Sequence, residues 1–327
     1  MIEVTDLTKR YGNTTAVDGL GFRVRPGLVT GFLGPNGAGK STTMRMMLGL
    51  DRPTAGEVRI GGTPYRQLRD PLRTVGALLD TGAVHPGRTA LNHLRCLARS
   101  NRIPARRVHE VIELAGLEDA AHRRAGTFSL GMGQRLGIAA ALLGEPAVVV
   151  LDEPVNGLDP EGVLWIRRLL RDLAAEGRTV LMSSHLMSEA ALTVDHLVVI
   201  GRGRLLADTG MTAFIDEHTE AGVRVRTPEP ERLRDVLAGA GIKVVADRAD
   251  GSLRAATSAE RVGELVAAHA VPVHEVTRTH ASLEEAFMRL TADAVEYRSQ
   301  RPEADLPGTE QSCAKHPGTG QSGGAHR

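Results

Sequence analysis

Long apolar runs are missing from this 327-residue chain; none reaches the ~18–20 residues that a membrane-spanning helix needs. A charge excess is missing too: 40 basic and 39 acidic residues leave a formal net charge of +1. That interspersed balance argues against a nucleic-acid-binding arm or a polybasic membrane patch. Cysteine appears twice, Cys96 in a helical apolar pattern and Cys313 in a polar tail. Neither a disulfide framework nor a cysteine metal site follows from two such thiols. The first residues carry no charged lead and apolar core of a secretory leader, so the expected location is the cytoplasm. Lysine is confined to Lys9, Lys40, Lys243 and Lys315. Aromatics make up only 3%, which makes Tyr11, in a polar stretch, stand out. What remains is a globular composition, 42% hydrophobic, with a length that predicts about two domains.

One of the rare lysines lies in the stretch that organises the chain, 33–43, reading LGPNGAGKSTT. Gly34-x-x-x-x-Gly39-Lys40-Ser41 matches the phosphate-binding P-loop. An apolar run at 29–33 enters it as a strand, and 42–50 leaves it with apolar positions at helical spacing. Gly34, Pro35, Asn36, Gly37, Ala38 and Gly39 can wrap so that backbone N–H groups face phosphate oxygens. Lys40 supplies a mobile charge for the β- and γ-phosphates, Ser41 a hydroxyl for Mg²⁺, and Thr42 continues the helix start. A glycine-rich turn before an ordinary helix is the alternative. It leaves unexplained why both glycines, the lysine and the hydroxyl fall on the pattern.

Around this loop the chain alternates strand and helix. Strands are expected at 2–7, 21–24, 57–60, 74–79, 147–151, 179–183 and 196–200. Helices are expected at 89–100, 105–115, 134–143, 160–176 and 186–192, with Leu91, Leu94 and Leu97 as a core stripe. Continuous apolarity at 147–151 fits a strand buried on both faces of a parallel sheet. The predicted class is α/β, with a first domain over 1–217. Composition then shifts. A small α+β domain is expected over 222–297, with an Asp250-Gly251 hairpin and capping boxes at Thr257-x-x-Glu260 and Ser282-x-x-Glu285. Residues 298–327 are rich in Gly, Pro, Ser, Gln and His and read as a disordered tail, with His316 and His326 solvated.

Two further stretches carry chemistry. Val148–Glu153 is an apolar strand ending in two carboxylates: Asp152 can hold Mg²⁺ through its water shell, and Glu153 can act as general base toward a water. His185, at the end of the next buried strand, can hydrogen-bond a γ-phosphate; alone it would pass for a structural histidine. Tyr11 reads equally as an adenine-stacking platform in a loop or as a surface tyrosine.

Taken in order, these residues resemble the ATP-binding cassette (ABC) superfamily over about 2–217. The resemblance makes Tyr11 the adenine-stacking aromatic, 34–42 the Walker A loop and Val148–Glu153 the Walker B strand with catalytic Glu153. It makes 157–159 the D-loop and His185 the switch histidine. Ser129-Leu-Gly-Met-Gly-Gln-Arg135 is similar to the ABC signature, and Asp80 falls where the Q-loop carries glutamine. It implies a P-loop cassette with a helical signature subdomain, in which Ser129 and Gly131, ahead of helix 134–143, reach the ATP of a second copy in a head-to-tail dimer. Three departures stand out: Leu130 and Met132 replace Gly and Gln, Val155 replaces Thr, and Asp80 replaces Gln. An ionised carboxylate at 80 can ligate Mg²⁺ with Ser41 and Asp152 but cannot donate to an attacking water.

The stretch Val75–Asp80, together with Phe128-Ser-Leu-Gly-Met and the C-terminal Ser282-Leu-Glu-Glu-Ala-Phe-Met-Arg-Leu, resembles the bacitracin and daunorubicin resistance branch of drug exporters. In that family the segments 81–94 and 123–128 face a coupling helix of the membrane subunit. The resemblance implies the ATPase subunit of an exporter, attached to the inner face of the cell membrane through a separate permease, with ATP and Mg²⁺ and no nucleic-acid partner. Two alternatives stay open. A soluble ABC ATPase acting on ribosomes or DNA usually carries two cassettes or a long coiled coil, and a single P-loop with no heptad run does not fit it. An ATP-gated scaffold that hardly hydrolyses is motivated by Asp80.

Overall fold

The computed structural model describes residues 1–80, 84–185, 187–218, 221–246, 251–280 and 283–291. The tail 298–327, residues 81–83 of the coupling segment, Asp250, Ser282 and Leu186 lie outside the described residues.

A six-stranded sheet occupies the centre, in the order β5 (Val75–Leu78), β6 (Val148–Leu151), β7 (Thr179–Ser184), β3 (Val29–Leu33), β8 (His196–Gly201) and β9 (Arg204–Gly210). The first five strands run parallel and β9 turns back antiparallel to β8. Strands β3, β6 and β7 are buried at every position, which is why they read as unbroken apolar runs. Their side chains still alternate. Val29 and Leu33, Val149 and Leu151, Val180 and Met182 enter one core, while Phe32, Val148, Val150 and Leu181 enter the other.

The second core lies beneath an antiparallel sheet of β2 (Thr14–Val24), β1 (Ile2–Tyr11) and β4 (Ala55–Ile60), with helix α1 (Lys40–Met47) contributing Met44, Met46 and Met47. Phe22 of β2 stacks on Phe32 of β3 at 5.3 Å between centroids and joins the two sheets. β1 and β2 run longer than expected because Gly12, at φ 56°, closes a tight turn between Tyr11 and Thr14. Tyr11 is therefore the last residue of a strand and not a loop residue, a correction to the sequence reading.

The first core lies under the helices. After the short α2 (Pro71–Thr74) come α3 (Ala90–Ser100), α4 (Ala105–Leu114) and α5 (Leu130–Leu142), packed on one another as a helical subdomain. Leu91 and Leu94 are buried there as expected, and Leu97 is half-buried against the core. Helix α5 begins four residues before the predicted start, so Gly131 lies inside its first turn instead of ahead of it. Gly131 and Gly133, poor helix formers, hid that turn; the Ser129 hydroxyl, which accepts from Met132 N–H at 3.2 Å, starts it. Helix α6 (Pro160–Ala175) is capped by Asp159. Its Trp165 donates Nε1–H to the Leu114 carbonyl at 2.9 Å while Arg135 covers the ring at 4.6 Å, which fastens α6 to α4 and α5. Helices α7 (Met187–Ala191) and α8 (Met211–His218) complete this layer. β9 and α8 had no counterpart in the sequence reading; β9 is a half-exposed edge strand without clean alternation.

The C-terminal region forms β10 (Ala221–Arg226), α9 (Pro230–Gly239), β11 (Val244–Ala246), β12 (Leu253–Ala255), α10 (Ala259–Ala268) and β13 (Glu275–His280). The antiparallel sheet order β11-β12-β10-β13 with two helices is the split β-α-β, ferredoxin-like arrangement. Val223, Val225, Leu233, Leu237, Leu253 and Val262 make its separate core. Ser258, not Thr257, caps α10, accepting from Arg261 N–H at 3.2 Å from an extended backbone. The final helix α11 (Leu283–Thr291) places Ala286 and Phe287 in the first core of the cassette, not in the core of the C-terminal sheet.

Candidate functional site

Parallel strands align their carboxyl ends, and here those ends carry the chemistry. β3 lies between β7 and β8, where strand order reverses, and passes into the loop that precedes α1. The loop is tight enough to demand glycine. A Cβ at Gly34 would stand 2.5 Å from the Ile200 carbonyl oxygen, and Gly39, at φ 101°, would place one 2.6 Å from that of Ala16. Lys40 is 7% exposed; its ammonium donates to the carbonyls of Gly34 at 2.6 Å and Pro35 at 3.2 Å. Burial pushes its pKa down, opposed by the nearby Glu153 and Asp152 charges. The lysine thus folds over its own loop, above backbone N–H groups at a helix N-terminus. Asn36 and Gly37 face solvent, Pro35 and Thr42 are half-buried, and Ala38 is buried.

The end of β6 meets this loop. Ser41 Oγ donates to Asp152 Oδ2 at 2.7 Å. Asp152 Oδ1 accepts a short hydrogen bond from Ser183 Oγ, and that hydroxyl in turn accepts from Glu153 N–H at 2.8 Å. Glu153 holds an αL backbone, φ 51°. Its Oε2 lies 2.5 Å from His185 Nδ1 and accepts from Asn156 Nδ2 at 2.9 Å; its carbonyl accepts from Gln134 Nε2 at 3.2 Å. Strand register sets this meeting: β6 and β7 pair Leu151 with Met182, and β3 and β7 pair Leu33 with Ser184. Ser183, Asn156 and Gln134 were not assigned from the sequence. Ser183, a hydroxyl near the end of an apolar strand and two residues before a histidine, was the available signal.

The remaining expected residues lie around this centre. Tyr11 is 49% exposed, with its hydroxyl donating to Asp51 at 3.1 Å and Lys9 over its ring at 4.8 Å. Its phenol pKa is raised by desolvation and then by Asp51. Ser129 is exposed at the start of α5, and a Cβ on Gly131 would stand 2.9 Å from the carbonyl oxygen of Gly157. Asp80 is exposed two residues beyond β5, on a groove of about 360 Å³ shared with Arg45, Leu48, Leu50, Val84 and His93. The structure brings Ser41, Asp152, Glu153 and His185 together with Lys40; it places Asp80 on that groove and Ser129 and Gly131 at the outer end of α5.

Two oxygens, Ser41 Oγ and Asp152 Oδ2, could hold a hard cation. Among the described residues no cluster of three or more His, Cys, Asp and Glu side chains offers a full metal cage. A sparse oxygen pair beside a phosphate loop fits Mg²⁺, which takes most of its ligands from water and phosphate.

Strand ends furnished in this way belong to a P-loop nucleotide-binding domain. Comparison with known proteins gives the family. The ABC transporter family model matches residues 17–156, and a model of a domain of unknown function matches 221–284. The bacitracin transport ATP-binding protein BcrA of Bacillus licheniformis is 44% identical over 64% of this chain and 69% of its own. The Nod factor export ATP-binding protein I of Paraburkholderia xenovorans is 40% identical over 72% of this chain and 80% of its own. Among solved structures, the dimeric bacterial ABC transporter cassette MJ0796 superposes with a TM-score of 0.60 at 27% identity, over 64% of this chain and 99% of that one. Its post-hydrolysis state bound to ADP and Pi gives a TM-score of 0.59 at 26% identity, over the same shares. The chain belongs to the ABC transporter family and is an ATP-binding subunit of that family.

Proposed function

We propose that the chain hydrolyses ATP as the motor subunit of an exporter for a drug, antibiotic or other small molecule. Its cassette, 1–217, would carry the chemistry and its C-terminal domain, 222–297, would be an accessory module. The observation that carries the reading is the convergence at one loop mouth of Lys40, the Ser41–Asp152 pair and the Glu153–His185 pair. The backbone of 34–39 and the ammonium of Lys40 bind the phosphates, and Tyr11 offers its ring to the adenine. Ser41 and Asp152 hold Mg²⁺, with Asp80 as a further carboxylate. When bound, Mg²⁺ neutralises charge on the β- and γ-phosphates. The Glu153 carboxylate takes a proton from the attacking water. His185 and Asn156 orient that carboxylate, both at Oε2, while Ser183 fixes the Asp152 carboxylate and the Glu153 backbone N–H to β7.

Supporting the transport reading are BcrA and the Nod factor exporter, whose names state bacitracin transport and export. The dimeric MJ0796 cassette supports a second copy, to which Ser129 and Gly131 at the exposed start of α5 would present a hydroxyl, N–H groups and a helix dipole. A separate permease would bring the complex to the inner face of the membrane; no helix among the described residues is long and apolar enough to cross it. The test is phosphate release at saturating Mg·ATP by the native chain beside Glu153→Gln. The proposal expects a loss of about 10²-fold or more with ATP binding retained. An unchanged rate contradicts it and favours the ATP-gated scaffold that Asp80 motivates.

A further inference from the structure

The C-terminal region does not end on its own sheet. Helix α11 buries a stripe at i, i+1, i+4 and i+5. Ala286 and Phe287 are 1% and 7% exposed, Thr291 is buried and Leu290 is half-buried. On the opposite side Met288 is exposed. The stripe joins the cassette core, where α11 packs on α7 and α8. The family model that covers the C-terminal sheet stops at residue 284, the second residue of this helix. The ferredoxin-like unit is therefore spliced between α8, which ends at His218, and α11, which returns to lie against it.

Helix α7 is the element that α11 covers, and it starts two residues after His185. It has five residues, too few to hold a helix or a fixed direction without tertiary packing. Met187 and Ala190 anchor it in the same core that receives Ala286 and Phe287. On the other side of His185, Ser184 is fixed by its pairing with Leu33. The imidazole thus hangs between a rigid strand end and a short helix that takes its place from its packing. Its Nδ1 lies 2.5 Å from Glu153 Oε2.

We infer that α11 is a positioning element for His185, acting through Phe287 and Ala286 on α7. The inference rests on the proposed role of Glu153 and His185 in ATP hydrolysis. It gives the C-terminal region a direct physical route to the nucleotide site, through side chains that touch neither ATP nor the reacting atoms.

The test is a double-mutant cycle in the full chain, with Phe287→Ala and His185→Ala measured singly and together by single-turnover hydrolysis of labelled ATP. Displacing a positioned group by a fraction of an ångström predicts about a tenfold or greater fall in rate for Phe287→Ala. The ATP dissociation constant should stay within about threefold, because Lys40 and its loop are untouched. In the His185→Ala background, Phe287→Ala should cost less than about twofold more. Equal losses in the two backgrounds would mean that Phe287 only stabilises the fold, and would overturn the inference, as would a full rate in folded Phe287→Ala. Should Phe287→Ala fail to fold, Phe287→Leu carries the same cycle with a smaller expected loss. If His185→Ala alone keeps the full rate, the reading of His185 fails first and this inference with it.

Discussion

Glu153 holds a backbone conformation that non-glycine residues avoid, φ 51°, while its side chain meets His185 and Asn156. Such strain persists where surrounding contacts over-determine a residue, here the hydrogen bonds from Gln134 to its carbonyl and from its own N–H to Ser183. Glu153→Gly is therefore expected to be more stable than Glu153→Ala by about 1 kcal/mol, although both remove the carboxylate. Urea unfolding followed by the fluorescence of Trp165, the only tryptophan, reads the difference; equal midpoints would mean that the backbone is not strained. His93 makes a separate prediction. Burial, and then Arg88, lowers its pKa from 6.5, and its buried Nδ1 has no hydrogen-bond partner among the described residues. The unfolded chain then binds more protons between the lowered value and 6.5, so this contribution is intact above 6.5 and is lost as pH falls below it. His93→Gln should flatten the acid limb of the stability–pH curve, and an unchanged limb would assign the acid sensitivity to other groups.

At the scale of elements, the Ser129 hydroxyl at the start of α5 caps the helix and, in the proposed function, also serves the ligand. Ser129 accepts from Met132 N–H and stands exposed; the proposed head-to-tail dimer would bring a partner's phosphate to it. Ser129→Ala should cost about 1 kcal/mol of stability and Ser129→Gly only a few tenths, while both lower hydrolysis alike by removing the hydroxyl. If hydrolysis follows the stability loss instead, the serine is a cap and no more. The same helix marks the reach of the sequence. The phosphate loop was legible because all its parts are contiguous: glycine, lysine and hydroxyl stand within eight residues of one another. β3, β6 and β7 were legible because burial on both faces leaves an unbroken apolar run. The start of α5 was hidden by Gly131 and Gly133, β9 by its half-exposed edge, and the extent of β1 by the tight turn at Gly12. Gln134 gave no local signal because it meets Glu153 from helix α5, and Ser183 gave only its place near the end of an apolar strand; Asn156 lies close to its partner in sequence, but nothing in its residue type marked it. The Ser282-x-x-Glu285 box announced a helix in the C-terminal domain, but no residue in it specifies the cassette as the surface it covers.

At the scale of the molecule, the proposed function takes the phosphate loop and the general base Glu153 from one chain and pairs them with Ser129 and Gly131, at the start of α5, from a second copy. A site completed by a second copy makes activity a property of the dimer, as the dimeric relative suggests. The measurement that tests this most directly is steady-state Mg·ATP hydrolysis per subunit across a range of protein concentrations, native chain beside Glu153→Gln. Composite sites predict a rate per subunit that climbs with concentration, levels off once dimers dominate, and is absent in the variant. A rate per subunit that is constant from the most dilute solution upward would show each chain hydrolysing alone, and would contradict the composite site.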